Sequence, residues 1–176
     1  MMNKVLIFLA TLTLPLLSTD YSNYLKTDNR SDSEYVSIQY GKQKLAYKNS
    51  QIGSDVVSIN LGRMFSAQNG WELSYSGNFN SNGKDDVKSY KFNTIGASVI
   101  HLLPLEKNLL LNAKIGINMR NLGMVLVGSD SFTFDYGISY GIGASFRTHK
   151  SYYLICEYLQ IAPDVTSFVA GYKITF

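Results

Sequence analysis

Three residues in the last third of the chain have the side-chain types of a hydrolytic site. His149, Ser151 and Glu157 lie close together in the sequence, and a histidine base, a serine nucleophile and a carboxylate can together carry out acyl transfer. Such a site needs the base beside the nucleophile and the carboxylate behind the base. The elements that carry these residues decide whether they meet.

The other reactive side chains form no recognised pattern. The chain has one cysteine, so an internal disulfide is excluded, and we interpret Cys156 in the run YYLICEYL as a small apolar residue. His101 has no evident partner in its own segment. Without a cluster of Cys and His residues a zinc site has no support, and we expect no metal, no cofactor and no catalytic residues. The net charge of +3 is too small to indicate a nucleic-acid partner.

Composition points to a β protein of one domain. The 176 residues include 13 Tyr and 9 Phe, which favour strands, and only 3 Pro. The stretch FDYGISYGIGASFR at 134–147 shows the pattern most clearly, since bulky residues alternate with Gly, Ser and charged residues. A two-residue period indicates a strand with one apolar face and one polar face.

The same period predicts eight strands. Their approximate bounds are 34–47, 55–66, 70–79, 88–103, 108–120, 134–147, 151–161 and 165–176. In the fourth segment Tyr90 and Phe92 sit in one phase and Ile95 in the other, so we expect a bulge near Asn93 or Thr94.

The predicted connections alternate in kind. The short turns AQN, PLEK and THK alternate with the longer NSQIGS, NSNGKDD and NLGMVLVGSDSFT, and only the connection near 162–164 departs from this by being short. Short turns on one side and longer loops on the other are typical of outer-membrane barrels. Within the loop at 121–133, the run VLVGSDSF is either a contact for a partner or, as we favour, an extension of the strands.

The N-terminus indicates export. Lys4 precedes the apolar run VLIFLATLTLPLL and the polar STDYS, which is the pattern of a secretory signal peptide. The apolar run is too short for a helix that spans the membrane. We predict a signal peptide at 1–20 with cleavage at about 18–22, a polar periplasmic tail at 21–33, and the β domain at 34–176.

A sheet that crosses a membrane must close on itself, because the lipid around it cannot satisfy the backbone at an open edge. Lipid offers no hydrogen-bond partners, so every backbone N–H and C=O within the layer must pair with a neighbouring strand. Eight strands close into a barrel just wide enough to be filled by side chains. The predicted fold is therefore all-β: an eight-stranded antiparallel transmembrane up-and-down β-barrel, with inward glycines and serines that give clearance.

The polar phase also carries charge, and unpaired buried charge is costly. We therefore predict a barrel-interior charge network of ion pairs and water that includes Glu72, Lys114, Glu157 and Lys173. Arg120, Asp135 and Arg147 lie nearer strand ends, and we interpret them as solvated.

Four segments resemble the small eight-stranded outer-membrane β-barrels of Gram-negative bacteria, the group of opacity proteins and OmpA-like transmembrane domains. They are GRMFSAQNGWELSYS (62–76), SVIHLLPLEKNLLLNAKIGI (98–117), YGIGASFRTHKSYYLICEY (140–158) and VAGYKITF (169–176). The resemblance implies an outer-membrane location, contact with outer-membrane lipid and lipopolysaccharide, and surface loops that meet a host or surface ligand. It also implies a C-terminal signal read by the outer-membrane assembly machinery, matched here by Gly171, Ile174 and Phe176, although Val169 stands where a polar residue is usual.

Three functions compete. The leading interpretation is a non-enzymatic barrel for envelope structure or adhesion, too narrow for a wide diffusion channel. The second is a lipid A-modifying barrel, but the His-x-Ser-Asn run of such enzymes is not met because Tyr152 replaces the Asn, and His149 falls in a predicted periplasmic turn. The third is a secreted lipocalin-like ligand-binding barrel, suggested by Gly70-Trp71, but that fold keeps its apolar face inside.

Overall fold

The chain forms one closed barrel of antiparallel strands in sequence order. The computed structural model describes residues 33–48, 50–81, 83 and 87–176. The strands are β1 (Glu34–Tyr47), β2 (Ser50–Met64), β3 (Asn69–Phe79), β4 (Val87–Glu106), β5 (Leu109–Leu126), β6 (Asp130–His149), β7 (Tyr152–Ala162) and β8 (Val165–Thr175). The predicted eight-stranded antiparallel barrel is confirmed. The predicted signal peptide and nearly all of the predicted tail lie outside the described residues.

The barrel closes where β8 pairs with β1. The ladder runs without a register shift from Tyr35↔Thr175 to Leu45↔Val165. We call the end where β1 begins and β8 ends the termini end, and the other the opposite end. Within the described residues no helix is long and apolar enough to span a membrane.

Strand β4 keeps one phase from Tyr90 to Pro104, so the predicted bulge near Asn93 or Thr94 is wrong. Pairing with β5 passes through both residues, and the register shifts lie at Val87/Ser89 and Pro104/Glu106. Tyr90 and Phe92 point inward in phase with Thr94. The sequence pattern misled because these aromatic side chains fill the interior of the barrel and do not lie on its outer face.

The interior is layered along the barrel axis. An apolar cluster at the opposite end consists of Leu45, Ile52, Val87, Tyr90, Phe92, Leu122, Met124, Ile161, Ala162 and Val165. A second at the termini end consists of Tyr35, Met64, Ile100, Leu102, Leu110, Tyr153 and Ile155. Buried polar residues such as Gln39, Asn60 and Glu72 lie between the two clusters. The outer wall differs from the interior at mid-height, where the wall carries exposed apolar side chains such as Ile115 and Ile138.

Two of the three inward glycines of β6 are needed for clearance. A Cβ on Gly143 would lie 2.6 Å from the carbonyl oxygen of Cys156, and one on Gly141 would overlap the side chain of Leu159. At Gly137 no atom lies within 4 Å of the added Cβ. The expected crowding therefore holds in the body of the barrel and not where β6 rises toward the opposite end.

The asymmetry of the barrel lies in strand length more than in loop length. β4, β5 and β6 have 20, 18 and 20 residues, whereas β7 and β8 have 11 each. The expected long loop at 121–133 is almost wholly strand, with only 127–129 between β5 and β6. The β5–β6 ladder runs to Val125↔Asp130, so the favoured interpretation of this loop as strand extension is correct and the long-loop assignment is wrong.

Candidate functional site: the barrel interior and its rim

The centre of the barrel holds three charged side chains in contact. Lys114 Nζ lies 2.8 Å from Glu72 Oε1 and 2.9 Å from Glu157 Oε2. The three side chains are 5 to 9% exposed. They come from β3, β5 and β7, so each is separated from the next by one intervening strand. We call Glu72, Lys114 and Glu157 the ion triad.

Neighbouring polar groups add hydrogen bonds to both carboxylates of the triad. Tyr35 donates its hydroxyl proton to Glu72 Oε2 at 3.0 Å, and Gln39 Nε2 donates to Glu157 Oε2 at 2.7 Å. Asn60 Nδ2 in turn donates to Ser37 and to Gln39 Oε1. Because hydrogen bonds meet the carboxylates beyond their ion pairs, the arrangement offsets part of the cost of burying charge.

The fourth residue of the predicted network, Lys173, lies nearer the termini end. Its Nζ is 5.1 Å from the ring centroids of both Tyr35 and Tyr153, within the range of a cation–π contact. Through the hydroxyl of Tyr35 this site adjoins Glu72. The structure thus joins three of the four residues by direct ion pairs and places the fourth between tyrosine rings.

Free space inside the barrel is small. A void of about 50 Å³ adjoins the triad and is lined by Asn60, Ser76, Thr94 and Asn118 among others. A second, of about 10 Å³, lies toward the termini end. About 10–15 Å³ of such free space is needed to hold one water molecule, so the first void has room for water, the second for one water at most, and neither for a solute. The apolar clusters lie beyond them toward either end.

Arg120 joins three elements near the opposite end. Its guanidinium lies 2.9 Å from Asp135 Oδ2 on β6 and 2.5 Å from Asp164 Oδ1 in the β7–β8 turn. The side chain is only 14% exposed, so its interpretation as a solvated strand end is wrong. Asp135 is 45% exposed and fits that interpretation. Arg147 donates to the carbonyl of Lys150 at the termini end.

The three residues with hydrolytic side-chain types do not form a site. Glu157 points into the barrel and bonds to Lys114 and Gln39, whereas His149 ends β6 and its ring contacts Tyr152 with centroids 6.0 Å apart. His101 has a partner that its own segment does not reveal, since its Nδ1 lies 2.9 Å from Asn69 Oδ1 on β3. Within the described residues no group of three or more His, Cys, Asp or Glu could hold a metal ion.

Two further features lie on the outer wall. Cys156 is partly exposed and pairs with Ala144 and Ala170, so a row of small side chains crosses three strands. In β8, Ile174 is 37% exposed, and Phe176 follows the strand on the same phase. The third residue of the predicted assembly signal, Gly171, does not lie on the outer wall: it faces inward beside the backbone of Ile38.

Sequence reasoning missed the bonds of Tyr35 and Gln39 to the triad and the ion pairs of Arg120. Tyr35, Gln39 and Arg120 all lie on the inward phase of their strands, which the alternation reveals. Their partners are 15 to 118 positions away in sequence, and only the register of the closed barrel brings them together.

Comparison with known proteins gives the fold. No protein-family model and no curated protein matches the chain. Neisserial surface protein A (NspA) superposes with a TM-score of 0.68 at 20% identity, over 81% of this chain and 97% of that one. Ail, the attachment invasion locus protein of Yersinia pestis, gives 0.62 at 14% identity, over 83% and 99%. The N-terminal β-barrel domain of Pseudomonas aeruginosa OprF gives 0.63 at 14%, over 83% and 98%.

Proposed function

We propose that this chain, which has the fold of the eight-stranded barrels NspA, Ail and OprF, is a non-enzymatic outer-membrane protein of a Gram-negative bacterium. The observation that carries the proposal is the inversion of the barrel wall. Large apolar side chains cover the outside, while ion pairs and amides lie inside. A barrel built for water would have the opposite arrangement.

The apolar cover is a band of limited height. On β1 it comprises Val36, Ile38 and Tyr40, and Lys42 and Lys44 follow on the same outward phase. On β7 and β8 it ends near Tyr158 and Phe168, beyond which Gln160 and Thr166 stand on the same phase. Aromatic residues at the border between an apolar band and polar groups are typical of the membrane interface.

The proposal sets the orientation and the export route. The termini end faces the periplasm, from which an exported chain inserts, and the opposite end faces the outside. The assembly machinery reads the C-terminal strand through Gly171, Ile174 and Phe176. Ile174 and Phe176 support this, since both lie on the outward phase where a partner could contact them.

The function that fits the closed interior is envelope structure and surface interaction. The ion triad and two apolar clusters fill the barrel, which argues against bulk diffusion of solutes and leaves the outer surface as the region available to partners. Lipopolysaccharide and a host or surface ligand are the proposed partners. One structure of Ail holds the heparin analogue sucrose octasulfate, which makes a sulfated glycan a reasonable first probe.

Fractionation of cell membranes tests the location. We expect the mature protein in the outer-membrane fraction, resistant to extraction by salt or alkali, with a gel mobility that changes on boiling because the closed barrel resists detergent. Release by alkali without detergent would favour the secreted lipocalin-like alternative. A change in lipid A composition on expression would favour the enzyme.

A charge on the outer wall tests which solvent that wall meets. We expect Ile115→Arg, at mid-height of the band, to lower the free energy of unfolding by about 2–4 kcal/mol, because an arginine at the bilayer midplane is desolvated. Val127→Arg, in the β5–β6 turn, is the matched control and should cost about 0–1 kcal/mol. Ile115 and Val127 are both exposed in the isolated barrel. Equal and small losses in urea titrations from lipid vesicles would contradict a lipid-facing wall.

A further inference from the structure

A cleft of about 500 Å³ lies on the outer wall near the opposite end of the barrel, where β3, β4, β5 and β6 meet that end. Its floor is Gly123, and the side chains of Phe79, Lys91, Asp130 and Phe132 stand around it. We propose that this cleft, which we call the rim cleft, binds one uncharged hexose ring of a glycan that approaches from outside the cell. The proposal rests on the orientation given above, and it gives the proposed surface interaction a site and a ligand class.

Gly123 opens the rim cleft because it leaves a gap in an outward row of side chains. The row runs Lys91↔Gly123↔Phe132 across β4, β5 and β6, with no register shift at Gly123 in either ladder. Clearance does not require this glycine, since an added Cβ would meet only Phe132 Cδ2, at 3.9 Å. A glycine inside a regular strand weakens the sheet and often marks a place where a ligand approaches the backbone.

Two phenyl rings stand at opposite sides of the rim cleft. Phe132 is 70% exposed and Phe79 is 43% exposed. The ring of Phe79 packs against that of Tyr40 with centroids 6.1 Å apart, and Tyr40 in turn donates its hydroxyl proton to Asp55. The face of an aromatic ring carries partial negative charge, whereas the C–H groups on one face of a hexose carry partial positive charge. Rings in these positions suit contact with the C–H face of a sugar.

Polar groups of both charges stand beside the rings. Lys91 and Asp130 are the charged residues in the lining, and Ser89 and Ser131 add hydroxyl groups. Within the part of the chain that the structure describes, none of these four side chains makes a hydrogen bond or an ion pair. A carboxylate accepts from sugar hydroxyls, and an ammonium or serine hydroxyl donates to them. The lining thus offers the mixture of donors and acceptors that a ring of hydroxyl groups needs.

The size and the charge of the rim cleft favour one uncharged ring. Clefts that bind small ligands usually measure about 300–1,000 Å³, and this one falls within that range. One lysine and one aspartate give the lining no net charge. A sulfate or phosphate group beside Lys91 would also meet the field of the Asp130 carboxylate, which repels it. An anionic sugar would therefore gain nothing over a neutral one.

The rim cleft lies beyond the lipid layer. On the outward phase of β5 the apolar residues end at Met119, and Asn121 precedes Gly123. Gly123 is eight residues beyond Ile115, which lies at mid-height of the band. For strands tilted by about 40° this corresponds to roughly 20 Å along the membrane normal, whereas an apolar band reaches only about 12 Å from its middle. A glycan on another surface can therefore enter the cleft from the aqueous side.

Binding of methyl hexosides tests the proposal on the purified mature protein in zwitterionic micelles, which avoid detergents with sugar headgroups. The probes are the methyl glycosides of glucose, galactose, mannose and N-acetylglucosamine. We expect at least one of them to bind with a Kd below about 10 mM, measured by NMR titration. The amide signals of Lys91, Gly123 and Phe132 should shift most.

Valine at position 123 should fill the rim cleft. We expect Gly123→Val to weaken binding of the best probe at least about tenfold, because its methyl groups would occupy the floor. The matched control is Gly53→Val, which puts the same side chain on the outward phase of β2, where an added Cβ meets no atom within 4 Å. This control should change the affinity less than about twofold. Gel mobility before and after boiling checks that both variants fold.

A second pair of variants tests the aromatic contact. Phe132→Leu keeps an apolar side chain but removes the ring, and we expect it to weaken binding by about three- to tenfold. Phe134→Leu changes the next outward residue of β6, which does not line the rim cleft, and should bind as the natural protein does.

Beads coated with the best probe distinguish an external glycan from the sugars of lipopolysaccharide in the same membrane. We expect cells that make the natural protein to retain more beads than cells that make Gly123→Val. Retention only after the lipopolysaccharide core has been truncated would show that the cell's own sugars fill the rim cleft, and would contradict an external ligand.

Failure of all four probes to bind, equal affinity of Gly123→Val and Gly53→Val, or tighter binding of a 6-sulfated form of the best probe would each overturn the proposal. The micelle assay uses purified protein and does not depend on cellular location. A failed fractionation would therefore refute the outer-membrane assignment alone, and failed binding in micelles would refute the sugar site alone.

Discussion

Lys114→Met should lower the free energy of unfolding by about 3–5 kcal/mol, because removal of one partner of a buried ion pair leaves uncompensated charge. Lys114 holds two carboxylates, Glu72 at 2.8 Å and Glu157 at 2.9 Å. Without the ammonium group, the two glutamates would face each other in a space almost closed to water. Urea unfolding of the refolded protein in vesicles measures the loss.

A triple variant tests whether the loss of stability in Lys114→Met comes from unbalanced charge or from changed packing. Lys114→Met combined with Glu72→Gln and Glu157→Gln removes all three charges and keeps similar volumes. We expect it to recover most of the loss, since neutral replacements of buried ion pairs are often tolerated. Arg147→Met, which removes a cation at the termini end, serves as the control and should cost less than about 1 kcal/mol. A triple variant as unstable as Lys114→Met would show that packing, and not charge, explains the effect.

Gly41→Ala and Gly171→Ala should each prevent the barrel from closing. The two glycines lie on the seam between β1 and β8, and a Cβ at either would overlap a backbone carbonyl of the facing strand, Phe168 for Gly41 and Ile38 for Gly171. Backbone atoms cannot move aside as side chains can, so the strands would have to separate. We expect a loss of about 4 kcal/mol or more, seen as a missing heat-modifiable folded band after refolding in detergent.

Two other glycines provide the control for the seam. A Cβ on Gly53 or Gly137 meets no atom within 4 Å, so alanine at these positions should fold normally. Refolding in detergent involves no assembly machinery, and Gly41 lies outside the proposed C-terminal signal. A Gly171→Ala defect seen only in cells, with normal refolding in detergent, would indicate lost recognition by the machinery and contradict the steric explanation.

The alternation of residues was sufficient to predict the fold but not its limits. The predicted bounds of β1 match the structure, because both faces of that strand change character at its ends. β5 and β6 run further than predicted because their alternation weakens through Asn121 and Gly123 without a break in pairing. Periodicity shows which face a residue occupies, and it does not show where a ladder stops.

The interior was harder to predict than the wall. Glu72, Lys114 and Glu157 stand out in the sequence because charge on the inward phase needs a partner. The bulge predicted near Asn93 or Thr94 was wrong because an apolar residue such as Tyr90 or Phe92 gives the same signal in a lipid-facing wall as in a packed barrel end. Only the closed register, with its layers of apolar and polar side chains, separates these two environments.

The position of the ion triad on β3, β5 and β7 has a consequence for how the barrel folds. No hairpin of adjacent strands contains two members of the triad, and Lys114 is 42 and 43 residues away from its partners along the chain. Contacts of such separation form late, after the cost of closing long loops has been met. We therefore expect the triad to form mainly after the rate-limiting step, so that its loss speeds unfolding while folding proceeds at nearly the same rate. In the closed barrel, the ion pairs of Lys114 would then slow the separation of the strands.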